Sequence, residues 1–453
     1  MSARTALLFP GQGSYVPGLL APLLKQNRRA VEVLESVDAV CAETGRAPVS
    51  PLLTDIDAPS IVDLMEERPG DLDLAMFASN LAAFEVLSAH GVHGDIFAGH
   101  SFGEISALTA AGALSVEDAT HMICMRSEAF EEISPAKGGM VAMALDLRRA
   151  NHLVGLLDEP DVAVAVDNGP AQCVVSGPWP VLAGAEQLAS AVGGAPVRLP
   201  TAYPFHSRML RAVNALFSVK TAEIRLSAPA TPVYSAILGR YVESAADIRA
   251  LADSNLTHPV MFYDGLLRLH RDGVRQFVES GVRDTLTRLA TTCLPSELRA
   301  IAPFSARTTP DGLARSLEPL VDGSGVPLPV TTAPVRPSAA CPASRKPPVQ
   351  TQSQTSRSAH VPRQRETVED IVRELRTVYA DFLDLPEDLL DDEVDLEADL
   401  GVDSIKQIAA FDRARKQLGR QRPPENLRTS SYTTLPKLAG LIQELAISAG
   451  ADA

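Results

Sequence analysis

Between residues 326 and 365 the chain reads VPLPVTTAPVRPSAACPASRKPPVQTQSQTSRSAHVPRQR, a stretch dense in Pro, Ser, Thr, Ala and Gln with no acidic residue. Fixing such a backbone costs about 1–2 kcal/mol per residue, and few of its side chains bury apolar surface to offset that cost. The change in composition begins near Pro310, so residues 309–365 are expected to form a disordered, partly extended linker. One core spanning all 453 residues is therefore excluded, and the chain divides into a body, 1–308, and a tail, 366–450. About 60 flexible residues give a root-mean-square reach of roughly 40 Å.

The tail reads as helical. TVEDIVRELRTVYADFL sets Val368, Ile371, Val372, Leu375, Val378, Tyr379 and Phe382 at helical spacing, behind a capping Thr367 with Asp370 three residues on. SIKQIAAFDRARKQLG repeats the pattern with Ile405, Ile408, Ala409 and Leu418 and ends at Gly419, and LPKLAGLIQELA supplies a third amphipathic segment. An all-α helical bundle over 366–450 is the expectation.

In the body, TALLF before PGQG and DIFAG before HS have the form of buried parallel strands, each entering a glycine-containing turn and then a helical stretch. From about Gly139 to Pro200 the order changes to strand MVAMAL, helix, strand VAVAV, strand QCVVSG, helix and strand PVRL. That β-α-β-β-α-β order predicts a ferredoxin-like α+β subdomain at 138–201, inserted into a larger α/β subdomain made of 1–137 and 202–308.

A net charge of −15 opposes the basic footprint that nucleic-acid binding requires, so nucleic acid is not an expected partner. The five cysteines, Cys41, Cys124, Cys173, Cys293 and Cys341, are scattered and form no CxxC pair, which indicates neither a disulfide framework nor a zinc site. The N-terminus lacks a signal pattern, and no uninterrupted apolar run reaches the roughly 18–20 residues that span a bilayer. A cytoplasmic protein without membrane attachment is expected.

GHSFGE fits G-x-S-x-G, a turn in which glycines let a strand pass sharply into a helix and expose a serine hydroxyl, here Ser101, at the helix N-terminus. A serine nucleophile needs a base within hydrogen-bond reach. On residue type alone His93, His100, His121, His206 and His258 compete for that part.

LFPGQGSY, GHSFGEISALTAAGALS, the arginine of CMRSEAF, GGMVAMAL, DNGPAQCVVSGP, PFHS and NLTHPVMF follow one another along residues 4–300. In that order they resemble the malonyl-CoA:acyl carrier protein transacylases and the acyltransferase domains of modular polyketide synthases. The resemblance implies an α/β-hydrolase-like fold in which Ser101 is the nucleophile and His206 its base. It implies further that the backbone N–H groups of Gln12 and Phe102 form an oxyanion hole, and that a backbone carbonyl of the NLTHP loop, at Asn255, orients the histidine. Arg126 would grip the free carboxylate of a dicarboxylic acyl group, a task that suits the planar fork of a guanidinium. Tyr203 and Phe205, in YPFH, occupy the positions tied to the choice of acyl unit, and Phe205 favours malonyl over methylmalonyl. The chain departs from the family pattern in Tyr203-Pro204, in the size of Phe102, and in FVESGVRDTL, where Gly-Pro-Gly is usual.

DLGVDSIKQI in the tail resembles the attachment site of acyl carrier proteins, which makes Ser404 the residue to which a phosphopantetheinyl transferase adds 4′-phosphopantetheine. Together the two resemblances imply an acyltransferase that takes malonyl from its coenzyme A thioester onto Ser101 and passes it to its own carrier domain. A separate ketosynthase or polyketide synthase would then use the unit in polyketide or specialised fatty-acid biosynthesis. An editing hydrolase of the same fold and an inactive docking scaffold are the alternatives, and loading of other carrier proteins stays open.

Overall fold

The computed structural model describes residues 4–305, 309–321, 367–383, 387–396, 400, 402, 404–418, 420 and 432–448. Its strands are β1 (Arg4–Phe9), β2 (Ile96–Gly99), β3 (Gly139–Met143), β4 (Ala163–Gly169), β5 (Gln172–Gly177), β6 (Val197–Arg198), β7 (Val233–Ser235), β8 (Arg240–Val242), β9 (Val260–Met261), β10 (Val274–Glu279) and β11 (Arg299–Ile301).

The larger sheet has the order β11-β10-β1-β2-β7-β8 and is parallel except for β8 at its edge. Helices cover both faces of such a sheet, so its central strands read as continuous apolar runs. In β1 the residues Ala6, Leu7, Leu8 and Phe9 are all buried. The rings of Phe9, Phe84 and Phe97 lock β1 and β2 onto the helix Pro69–Ala89. That helix is long and apolar enough by length and composition to cross a bilayer, and it is mostly buried within the body.

The smaller sheet, β6-β3-β5-β4-β9, carries the helices Leu147–Leu157 and Trp179–Ala191 and has a core of its own. Its first four strands pair antiparallel in the order β6-β3-β5-β4. The fifth, β9, arrives from a later part of the chain and pairs in parallel with β4. This one short pairing ties the inserted unit to the segment that follows His206.

The linker boundary needs correcting. Pro310–Val321, expected within the unstructured segment, is a helix, and Leu313 and Leu317 are buried in the core of the body. Thr309 begins it: the Gly312 N–H donates to Thr309 Oγ1 at 3.1 Å, and Pro310 takes the first position, where a missing N–H leaves nothing unsatisfied. Leu313, Leu317 and Leu320 stand four and then three residues apart, one face of a helix, and the neighbouring prolines hide that spacing from a reading of composition. Residues 322–365 of the expected linker lie outside the described residues, as does Cys341. Cys41, Cys124, Cys173 and Cys293 are free thiols.

In the tail, the helices Val368–Leu383, Ser404–Gln417 and Leu435–Ser448 share a second core built on Ile371, Leu375, Tyr379, Phe411, Leu438 and Ile442. Thr367 and Asp370 form the expected reciprocal cap: the Asp370 N–H donates to Thr367 Oγ1, and the Thr367 N–H to Asp370 Oδ2, both at 3.3 Å. Along Ser404–Gln417 the buried residues include Gln407, Ala410, Phe411 and Ala414. The side chains of Ile405, Ile408 and Ala409, and all of Gly419, lie outside the described residues.

Candidate active site

Because β1 and β2 are neighbours and parallel, with Phe9 opposite Gly99, their C-terminal ends bring Pro10-Gly11-Gln12 beside His100-Ser101-Phe102. Crevices at this edge of an open α/β sheet are where such folds bind ligands. The approach is too close for side chains: a Cβ on Gly103 would lie 2.0 Å from the Phe9 carbonyl oxygen, and one on Gly99 2.2 Å from the Glu104 nitrogen. Ser101 itself has φ of 55°, a left-handed conformation that costs a non-glycine residue on the order of 1–3 kcal/mol and concentrates at functional sites. The buried Glu104 holds the turn from below, accepting from Ser235 Oγ at 2.6 Å and from the Ile237 N–H at 3.1 Å.

His206 also has a left-handed backbone, φ 57°, and its Nε2 lies 2.6 Å from Ser101 Oγ. Its Nδ1 lies 2.8 Å from the carbonyl oxygen of His258. A carbonyl only accepts, so Nδ1 carries the proton and Nε2 is left to accept from the Ser101 hydroxyl. Burial pushes the His206 pKa down to about 3, which keeps the ring neutral and able to take a proton. Of the rival histidines, His93 is exposed and His121 faces Glu43 at the surface. His100 is half-buried, with its Nε2 2.9 Å from Asn168 Oδ1 at the end of β4 and its ring edge-on to Phe262.

The carbonyl that orients His206 belongs to His258, which corrects the expectation of Asn255. Asn255 is buried in the same loop, one turn earlier. The His258 N–H closes that turn onto the Ser254 oxygen at 2.9 Å. Pro259 then forces His258 out of helical conformation, which frees its carbonyl, and β9 fixes the loop by pairing with β4. The signal was the proline, which marks its predecessor as the residue whose carbonyl leaves the turn.

Arg126 projects from the helix Val116–Ile133 and is 3% exposed. Its guanidinium carbon lies 5.5, 5.3 and 5.1 Å from the ring centroids of Phe102, Phe130 and Phe205. Tyr203 stacks on Phe130 at 4.1 Å between centroids, and Phe205 meets both rings edge-on. Phe102, Tyr203 and Phe205 thus belong to one aromatic box around the arginine. One nitrogen of the fork, Nη1, donates to Asp73 Oδ2 from the helix Pro69–Ala89. Gln12 Nε2 lies 3.4 Å from the other oxygen, Asp73 Oδ1. Sequence reasoning missed Asp73, Phe130, Asn168 and His258, since their parts depend on contacts across distant segments.

FVESGVRDTL now has a structural account. Glu279 is buried at the end of β10 and accepts from the Leu286 and Thr287 N–H groups and from Thr287 Oγ1, capping the helix Thr285–Cys293. A Cβ on Gly281 would press within 2.4 Å of Pro10, so this loop backs the turn that carries Gln12.

Residues 6–311 match the acyl transferase domain family, and residues 373–442 match the phosphopantetheine attachment site family. The chain belongs to the acyl transferase domain family. Its acyltransferase domain is similar to the malonyl CoA-acyl carrier protein transacylase of Bacillus subtilis, 30% identical over 292 residues, 63% of this chain and 89% of that protein. A polyketide biosynthesis protein of Burkholderia thailandensis is 32% identical over 346 residues, 74% of this chain, of which the match spans only 28% of the relative. Among solved structures, the acyltransferase domain from the second module of the salinomycin polyketide synthase matches with a TM-score of 0.61 and 27% identity, covering 70% of this chain and 72% of that one. An acyl-carrier-protein S-malonyltransferase from Burkholderia pseudomallei matches with a TM-score of 0.62 and 26% identity, covering 69% and 99%.

The phosphopantetheine match takes in the whole helix Ser404–Gln417 and parts of Val368–Leu383 and Leu435–Ser448, and Ser404 is the first residue of the middle helix. Free N–H groups and the positive end of the helix dipole favour a phosphodiester there, so the position fits the prosthetic group.

Proposed function

We propose that the chain is a Ser-His acyltransferase that loads a malonyl-type unit from coenzyme A onto its own carrier domain. Its body is read as an α/β-hydrolase-like domain with a ferredoxin-like insert. The observation that carries the reading is the chain of hydrogen bonds from Ser101 Oγ through His206 to the His258 carbonyl, set beside a buried arginine.

In acylation, Ser101 Oγ attacks the thioester carbonyl carbon while His206 Nε2 takes the hydroxyl proton; the carbon–sulfur bond then breaks and the proton leaves on the coenzyme A thiol. The negative oxygen that forms in between is received by the Gln12 and Phe102 N–H groups. Arg126 and the rings of Tyr203 and Phe205 choose the acyl group. The phosphopantetheine arm on Ser404, placed there by a phosphopantetheinyl transferase, supplies the thiol that accepts the acyl unit. A separate ketosynthase or polyketide synthase consumes the loaded unit.

The editing alternative differs in its product. Malonyl-CoA added to the pantetheinylated chain is expected to give bound acyl groups, one per carrier, with little free malonate. Rapid release of malonate without a bound acyl group would replace the transferase reading with a hydrolytic one.

A further inference from the structure

Arg126 already has a carboxylate partner inside the protein. Asp73 is 4% exposed and sits on Arg126 Nη1 within the aromatic box, so the box holds a balanced pair rather than an unpaired cation. Yet the fork is not exhausted, because the buried Arg126 Nε has no hydrogen-bond partner among the described residues. A malonyl carboxylate entering on that side would place two carboxylates on one guanidinium in a site with little water. Like charges so close do not both stay ionised, and one of them takes up a proton. An uncharged acyl group meets no such obstacle, since the Arg126–Asp73 pair stays intact beside it.

Building on the malonyl-type transfer proposed above, we propose that Asp73 is a specificity-determining residue. It competes with the acyl carboxylate for Arg126, so the pocket admits a dicarboxylic unit only together with one proton from solvent and otherwise admits an uncharged acyl unit. The proton goes to the Asp73 carboxyl and returns to solvent when the unit leaves. Burial raises Asp73 above the usual carboxylate range despite the pull of Arg126, which makes the proton uptake accessible. The other titratable groups around the pair are Tyr203 and His206. Asp71, on the same helix, pairs with Arg68, and Glu131, on the arginine's helix, pairs with Arg46.

The test uses the full chain carrying Ser404→Ala, so that acyl groups stay on Ser101, with equimolar malonyl-CoA and acetyl-CoA between pH 6 and pH 8.5. Intact-protein mass spectrometry reads the ratio of malonyl to acetyl ester. Both donors use the same serine and histidine, so titration of His206 cancels in that ratio. It is expected to fall with rising pH, by up to about tenfold per unit where one proton is linked to binding. In Asp73→Asn, which keeps the shape and removes the charge, the ratio is expected to rise on the order of tenfold and lose its pH dependence. A wild-type ratio flat across this range overturns the proposal without any variant, as does a ratio unchanged or lowered in a folded Asp73→Asn protein. No ester from either donor overturns the transferase reading as well, whereas an ester with a flat ratio removes Asp73 alone.

Discussion

Ser101 is held in a left-handed conformation with its hydroxyl 2.6 Å from a neutral imidazole. Replacing His206 by Ala removes the proposed base, and single-turnover acylation is expected to slow by about 10²–10⁴-fold. A folded His206→Ala chain acylated at the wild-type rate would exclude His206 as the base. The lowered His206 pKa has a visible consequence, since an ordinary histidine would lose its basic form below about pH 6.5. With the folded value near 3, the acylation rate at saturating donor is expected to stay level from pH 8 down to pH 5. A descending limb between pH 6 and pH 7 would show that burial does not hold the ring neutral. The same shift acts on stability with the opposite reach. The unfolded chain takes up a proton near pH 6.5 that the folded one refuses, so stability is lost as pH falls from there toward 3.

At the scale of elements, two parallel strands end side by side only because the turns that follow them have no side chains in the way. Gly103→Ala would place a methyl 2.0 Å from the Phe9 carbonyl oxygen. Acylation is expected to fall together with thermal stability, and a fully active, unshifted variant would contradict this packing. The strands before both turns and the elbow were legible in the sequence, because buried parallel strands are short apolar runs and tight turns demand glycine. The helix Pro310–Val321 was not, since its leucine stripe lies among prolines that composition assigns to a linker. Leu317→Ala is expected to destabilise the body by about 2–5 kcal/mol, as read by denaturant unfolding. No change on Leu317→Ala would return that helix to the linker. Likewise Ser101, His206 and Arg126 stood out by motif, while Asp73 and the His258 carbonyl did not. The first is one of three acids in a mostly apolar helix and the second is a backbone atom, and only tertiary packing gives either a partner.

The whole molecule joins an acyltransferase domain to a carrier domain, each with its own core. Two sites joined in one chain by some tens of residues meet at an effective concentration in the millimolar range when the connection is flexible, as the sequence composition of residues 326–365 leads one to expect. Loading within one chain is therefore expected to proceed at a rate independent of protein concentration, and a rate rising in proportion to concentration would mean transfer between chains. The central claim is that an acyl group travels through Ser101 to the arm on Ser404. The most direct measurement is intact and peptide-level mass spectrometry of the pantetheinylated chain after addition of malonyl-CoA. A malonyl group is expected on the Ser404 arm in the native sequence and none in Ser101→Ala. An unloaded Ser404 in the native sequence, or equal loading when Ser101 is gone, would contradict it.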